Sequence, residues 1–229
     1  MSEVVAHYQK MWDHACVRFQ RNEFELDPLI GSNNDTRRGL TCIARLDANV
    51  KAKVQSFIDE AKQLFPNQYF YPLTDLHLTI MSIISCEQHF VLSSIDEAEY
   101  IAILEEIATQ IHPFKVIFKG ITASPSCILL QGIVESNQLQ LMRNLIRDKF
   151  KNSPLKHSID TRYPITTAHC TIMRFKAPVA NPQKLVAFLN QYRAFDFGIT
   201  NVSSVKLVFN DWYQTQRLTK KLFKTALTY

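Results

Sequence analysis

Apolar and polar positions follow two periods along this chain, and the order of those periods repeats. Residues 4–24 carry Val4, Tyr8, Met11, Ala15 and Phe19 or Val17 as a loose apolar stripe, which predicts a helix. The polar run Gly31-Ser32-Asn33-Asn34-Asp35 closes that segment. Gly39 to Asp47 is nearly all apolar and predicts a buried strand. Val54, Phe57, Ile58 and Ala61 share one face of a helix from Val50 to Leu64, which Asp47 or Asn49 can cap and Pro66 ends. After Tyr69-Phe70-Tyr71 come a strand from Leu76 to Ile84, a helix from Asp96 to about Ile111, and a strand from Phe114 to Ile121. The second half repeats this order. Its strand is Cys127 to Val134, and its first helix is Leu139 to Phe150 with Leu141, Leu145 and Ile146 on the apolar face. A polar loop around Pro154 leads to a strand from Ala168 to Phe175, and Pro182 introduces a helix from Lys184 to Tyr192. Strands at Phe195 to Ile199, Val202 to Phe209 and Leu218 to Ala226 complete the chain.

A longer identity lies inside this repeat. Tyr71 to Met81 reads YPLTDLHLTIM and Tyr163 to Met173 reads YPITTAHCTIM, with seven of eleven positions identical. His77 and His169 lie 92 residues apart, a spacing that suits a duplicated half-domain and not a solenoid. Recurring element order and recurring motif together predict an α+β fold. It has two pseudo-symmetric βαβ-type lobes with largely antiparallel sheets flanking a central cleft. The expected organisation is an N-terminal helical extension over residues 1–37 and one bilobal domain over 38–229, with half-repeats of about 38–124 and 125–229. The two motif strands should lie side by side across the pseudo-twofold axis, their histidines facing one cleft.

Composition narrows the class. With 46% hydrophobic and 21% charged residues, the 229-residue chain reads as a globular protein, expected to be soluble and monomeric. It has no apolar run long enough for a membrane span, and its N-terminus lacks the apolar core of a secretory signal. Five cysteines without framework spacing point to reduced thiols and a cytoplasmic setting. The net charge of +5 is compatible with an anionic substrate.

The motif supplies the chemistry. Strand alternation puts His77, Thr79 and Met81 on one face, and His169, Thr171 and Met173 on the corresponding one. Two imidazoles and two hydroxyls meeting at one cleft suit phosphodiester cleavage without a metal. One neutral imidazole removes a proton from the attacking water or ribose hydroxyl, and the other, protonated, donates to the leaving oxygen. The threonines donate to the nonbridging oxygens. A metal centre needs three or four ligands, and each motif offers one; Asp75 could join His77, but Thr167 holds the equivalent place. Cys170 beside His169 turns to the other face and is rejected as a nucleophile. Tyr71 and Tyr163 either stack on a base or ribose at the cleft mouth or shape the strand start with their prolines. Arg174 could bind phosphate, but alternation turns it away from His169 unless a bulge or open edge intervenes. Arg37 and Arg38 are further phosphate candidates. Arg143, Arg147, Lys149 and Lys151, with Lys220, Lys221 and Lys224, read as solvated charge. His7, His14, His89, His112 and His157 have no matching partner and read as surface or core residues.

Two H-x-T-x motifs, His77-Leu78-Thr79-Ile80 and His169-Cys170-Thr171-Ile172, resemble the 2H phosphoesterase superfamily of 2′,3′-cyclic phosphodiesterases and 2′-5′ RNA ligase-like proteins. The resemblance runs over roughly residues 38–229. The stretch DTRRGLTCIARL and the N-terminal extension look most like a bacterial branch labelled mutarotase-like, although sugar-ring opening is a different reaction and the phosphoesterase motif is intact. The resemblance implies His77, Thr79, His169 and Thr171 as catalytic residues, no cofactor, and a nucleotide or RNA-end phosphodiester as substrate. It also implies that the second histidine activates the nucleophile while the first protonates the leaving group. Ligation of 2′-5′ ends would be the reverse reaction through the same site. A duplicated scaffold that binds nucleotide or RNA ends without turnover is the competing class.

Overall fold

The computed structural model describes residues 3–162 and 164–228. Its elements are α1 (Glu3–Gln20), β1 (Arg37–Arg45), α2 (Ala48–Leu64), β2 (Tyr69–Phe70), β3 (His77–Gln88), α3 (Glu97–Ala108), β4 (Phe114–Ser124) and β5 (Cys127–Ile133). They continue as α4 (Gln138–Lys151), β6 (Cys170–Arg174), α5 (Pro182–Gln191), β7 (Asp196–Val202), β8 (Ser204–Asp211) and β9 (Lys220–Ala226). The alternation in the sequence thus produces the expected succession of strands and helices, with local chemistry setting several ends. Asp96 caps α3 by accepting from the Ala98 N–H at 3.0 Å, and Asn181 caps α5 by accepting from Lys184 N–H at 2.8 Å, with Pro182 just inside. Asp47 holds the cap position of α2 without capping it. Its carboxylate instead accepts from Asn201 N–H at 3.0 Å, tying the helix start to β7.

The strands form two antiparallel sheets, ordered β3-β1-β8-β9 and β2-β6-β5-β4-β7. Both start from the same logic: a motif strand lies beside the first strand of its own half, and that strand lies beside a late strand of the other half. β4 leaves the first half to pair with β5, and β8 leaves the second half to pair with β1. Sequence halves and sheets therefore do not coincide. The expected boundary near residue 124 falls in the tight turn between β4 and β5, neighbours in one sheet. The motif strands β3 and β6 share no ladder; they face each other from different sheets. The short strand β2, just ahead of the first motif, crosses over to pair with β6, and Tyr71 N–H donates to the Ile172 carbonyl at 3.1 Å. One apolar core runs through both sheets.

Two helix faces differ from those expected. In α1 the buried residues are Tyr8, Trp12, Ala15 and Phe19, while Val17 is exposed; this stripe packs on β4 and α5. In α4 the buried stripe is Leu139, Met142, Arg143, Ile146 and Phe150, and Leu141 faces solvent. Among the described residues no helix is long and apolar enough to cross a membrane.

Candidate active site

β3 and β6 carry the same irregularity at the same place. In β3 the pairing with β1 slips between Thr79 and Met81, and again between Ser82 and Ile84. In β6 the pairing with β5 slips between Thr171 and Met173. Each slip is a bulge that inserts one residue and so turns the next side chain back to the cleft face. In β3 the cleft-lining, part-exposed positions are His77, Thr79, Ser82 and Ser85, in steps of two, three and three. In β6 the same step of three brings Arg174 to the face of Thr171. Arg174 therefore reaches the cleft by the bulge that plain alternation required of it, and its repeat equivalent is Ser82. Met81 and Met173 are buried. His77, Thr79, His169, Thr171, Tyr71 and Arg174 all line one cleft of about 180 Å³.

Arg143 holds the two motif strands in this arrangement. It is 1% exposed, and its guanidinium donates to three backbone carbonyls: Ile80 and Thr79 in β3, and Thr167 ahead of β6, each at 2.9 Å. The expectation of a solvated charge is overturned, because Arg143 sits on the true buried stripe of α4. The fork-shaped guanidinium satisfies carbonyls that the bulge and the sheet edge leave without ladder partners. Arg147, also expected to be solvated, forms a two-pronged ion pair with Asp160 at 2.6 and 3.2 Å and donates to the Ile165 carbonyl. It pins the loop that precedes the second motif.

Each histidine is oriented through Nδ1 by the residue two positions earlier. His77 Nδ1 lies 2.8 Å from the Asp75 carbonyl, which can only accept, so Nδ1 carries the proton and Nε2 is the free nitrogen. His169 Nδ1 lies 2.7 Å from the Thr167 hydroxyl. A buried tyrosine of α1 stands behind Thr167. The buried Tyr8 hydroxyl of α1 donates to the Gly132 carbonyl at 3.1 Å and accepts from the Gly132 N–H at 3.2 Å. Burial pushes the Tyr8 phenol up to about 12, against smaller lowering by Gly132 and Thr167, so it stays protonated. With Nδ1 held by Thr167, Nε2 is the nitrogen of His169 left for the cleft, as it is in His77. Gly132 is required here: a Cβ would sit 1.7 Å from the Ala168 carbonyl oxygen, next to His169.

Burial is the main cause that pushes both imidazoles down to about 4. For His77 the cations of Arg45 and Arg174 and the neighbouring His169 ring add to it, against the raising effect of the Asp75 carbonyl; for His169 the additions are Arg143, Arg174 and His7. Cys170 is buried, and burial lifts its thiol to about 12, so it is no nucleophile. The Asp75 carboxylate is raised by burial and accepts from the Thr74 hydroxyl and Gln216 N–H. It is engaged away from His77, to which Asp75 offers its carbonyl.

The remaining candidates separate clearly. Tyr71 is buried, not at the cleft mouth; its hydroxyl accepts from Arg174 Nε at 2.8 Å and so aims the guanidinium. Tyr163 lies outside the described residues. Arg37 is taken up by Asp35, at 2.9 and 2.7 Å, and Arg38 donates to backbone carbonyls; neither lines the cleft. Trp212, which belongs to neither motif and carries no signal in the sequence, lines the cleft with the guanidinium groups of Arg37, Arg162 and Arg174 at 5.0, 4.8 and 5.6 Å from its ring. Arg162 is exposed at the rim. The result is a cleft with two neutral imidazoles, two threonine hydroxyls and two arginines, able to hold an anion and move protons on either side of it.

Comparison with known proteins matches the chain to one family. The profile described as the 2′-5′ RNA ligase superfamily matches residues 50–208, more than half of the chain. Among solved structures, Escherichia coli LigT complexed with 3′-AMP is 16% identical with a TM-score of 0.57, covering 84% of this chain and 99% of LigT. LigT complexed with ATP is 17% identical at 0.52, covering 85% and 99%. TT0787 of Thermus thermophilus is 18% identical at 0.59, covering 82% and 97%. At these identities the likeness is one of fold. No curated protein matches the sequence.

This geometry makes two predictions about stability. Arg143→Met keeps the bulk and leaves three buried carbonyls without a donor, so it should cost about 2–4 kcal/mol in urea unfolding and shift the NMR signals of both imidazoles. Unchanged imidazole signals would show that the strands hold their places without the clasp. Stability should also fall on acidification. Both histidines have folded pKa values below 6.5, so their contribution is complete above pH 6.5 and is lost as pH falls through about 4. The double variant His77→Gln/His169→Gln should flatten the loss measured between pH 7 and 4.

Proposed function

The chain belongs to the 2′-5′ RNA ligase superfamily, and we propose that it is a metal-independent phosphodiesterase acting on 2′,3′-cyclic phosphate or a related nucleotide or RNA-end diester. Membership supports phosphodiesterase-type chemistry in general. The finer reading is carried by one observation: two histidines, each with Nδ1 committed to a fixed partner, line the same cleft with two threonines and Arg174. The 3′-AMP and ATP bound by LigT are nucleotides, which favours a nucleotide-bearing substrate here.

In this mechanism the diester phosphate sits between the rings, its nonbridging oxygens facing Thr79, Thr171 and the guanidinium of Arg174. His169 acts as base through Nε2, kept neutral by its burial and, in addition, by the nearby cation of Arg143. It removes a proton from water as the oxygen attacks phosphorus. The P–O bond to the leaving oxygen breaks, and His77, protonated, delivers a proton to that oxygen through Nε2. The negative charge of the substrate raises the affinity of His77 for its proton, offsetting the burial that depresses it in the empty cleft. Arg174, positioned by Tyr71, stabilises the charge that gathers on phosphorus oxygens. A ribose hydroxyl attacking in place of water, run backwards, gives ligation through the same groups. Residues that bind the phosphate could also serve a module that holds RNA ends without turnover.

The test is hydrolysis of a panel of 2′,3′-cyclic nucleotides in excess EDTA by wild type, His77→Ala and His169→Ala. Turnover should survive EDTA and fall at least about a hundredfold in each variant. Loss with EDTA would overturn metal independence, and nucleotide binding without turnover would favour the binding module.

A further inference from the structure

α1 precedes the residues matched by the family profile, yet it forms part of the cleft wall. A groove of about 740 Å³ opens from the active site past His169, Thr171 and Arg174 and runs between α1 and the β4–β5 turn. It is larger than the central cleft, and the two share Ile165 and Trp212 as well as these three residues. His7 and Met11 project from α1 on one side, and Ser124 and Ser126 from the turn on the other. His7, which the sequence offered no role, stands exposed at this wall.

The charges along the groove decide what it can take. Arg174 lies at its inner end, where the diester phosphate sits, and the carboxylate of Glu25 lies further out. Among the described residues no lysine or other arginine lines it; Arg18, whose guanidinium lies 4.0 Å from the Glu25 carboxylate, is not part of the lining, so a second phosphate would face Glu25 with no cation of the groove to hold it. Met11, Leu129 and Trp212 provide a flat, polarisable surface, while His7, Ser124 and Ser126 provide hydrogen-bonding groups. Such a lining fits an uncharged ring system bearing polar edges. The wall is also fixed in place: Tyr8, one residue from His7, is buried and bonded to Gly132, and Thr122 donates to the Tyr8 carbonyl at 2.9 Å. A subsite held this way loses little freedom when it is filled.

Building on the phosphodiesterase reading, we infer that the N-terminal helix forms a second subsite, which receives an uncharged nucleoside esterified to the phosphate on the His169 side. The preferred substrate is then a diester joining two nucleosides, with its single internucleoside phosphate at the histidines, and not a cyclic mononucleotide alone.

The experiment compares kcat/KM for adenylyl-adenosine, in 2′-5′ and 3′-5′ linkage, with that for adenosine 2′,3′-cyclic phosphate. It uses the full chain and two variants that fill the groove from opposite walls, Met11→Trp and Ser126→Trp, each checked for folding by circular dichroism. Wild type should prefer one of the dinucleoside monophosphates. The ratio of dinucleoside to cyclic turnover should drop at least tenfold in both variants. A ratio within threefold of wild type in both folded variants overturns the subsite. If wild type turns over none of these compounds, the phosphodiesterase reading fails separately. Calorimetric binding of the dinucleoside monophosphate then decides: affinity at least tenfold weaker in Met11→Trp upholds the subsite, and equal affinity overturns it.

Discussion

A buried guanidinium with no carboxylate bonded to it is costly to place in a protein core, and Arg143 is held there by backbone carbonyls. Its three donated bonds end on Thr79, Ile80 and Thr167, from two chain segments that belong to different sheets. β3 is a bulged edge strand whose carbonyls are open to an external donor, and Thr167 lies ahead of β6, where its ladder has not begun. A lysine could not span them, since its ammonium is a single point on a flexible stem. The geometry of the site depends on this clasp: β3 and β6 touch but share no ladder, and Arg143 bonds the backbones of both segments at once. Burial pushes the guanidinium down to about 10, still charged near neutral pH, so the clasp persists while its field helps keep His169 neutral.

The pseudo-twofold accounts for the way the halves cooperate. Because β4 and β8 exchange between halves, neither half of the chain makes a complete sheet, and the cleft forms only when both are in place. The two histidines then differ in what grips Nδ1. A carbonyl at Asp75 grips one; a hydroxyl at Thr167, backed by Tyr8 from outside the repeat, grips the other. Equivalent positions have thus diverged from a backbone acceptor to a side-chain relay. That divergence connects α1 to the chemistry, and the same helix walls the groove beyond His169.

Much of this is legible in the sequence, for reasons that can be named. The matching eleven-residue stretches and the repeated element order are enough for the α+β class, the cleft, and the meeting of His77, Thr79, His169 and Thr171. Strand alternation is also enough to say that Arg174 needs a bulge. What stays hidden is long-range. The exchange of β4 and β8 leaves no local trace, because a strand's pattern records burial and not its neighbour. Tyr71 carries an aromatic ring suited to stacking, and only the fold shows it buried behind Arg174. Arg143 misleads for a different reason. The spacing of Leu139, Met142, Ile146 and Phe150 marks a buried stripe with Arg143 on it, but a cation in that register contradicts the usual rule that charge faces water. Trp212 and Tyr8 fall outside the repeat, so the symmetry that reveals the histidines cannot reveal them.

In the proposed mechanism two depressed imidazoles, each held through Nδ1, divide acid and base roles at one phosphate. The pH dependence of kcat/KM on a 2′,3′-cyclic nucleotide tests this most directly, measured for wild type, His77→Gln and His169→Gln. The expected result for wild type is a bell with its maximum below the 6.5 of unperturbed imidazoles. Residual activity should lose the alkaline limb in His77→Gln, where the acid is gone, and the acid limb in His169→Gln, where the base is gone. A profile of the same shape in all three proteins would contradict the mechanism, because the titrating groups would then lie elsewhere.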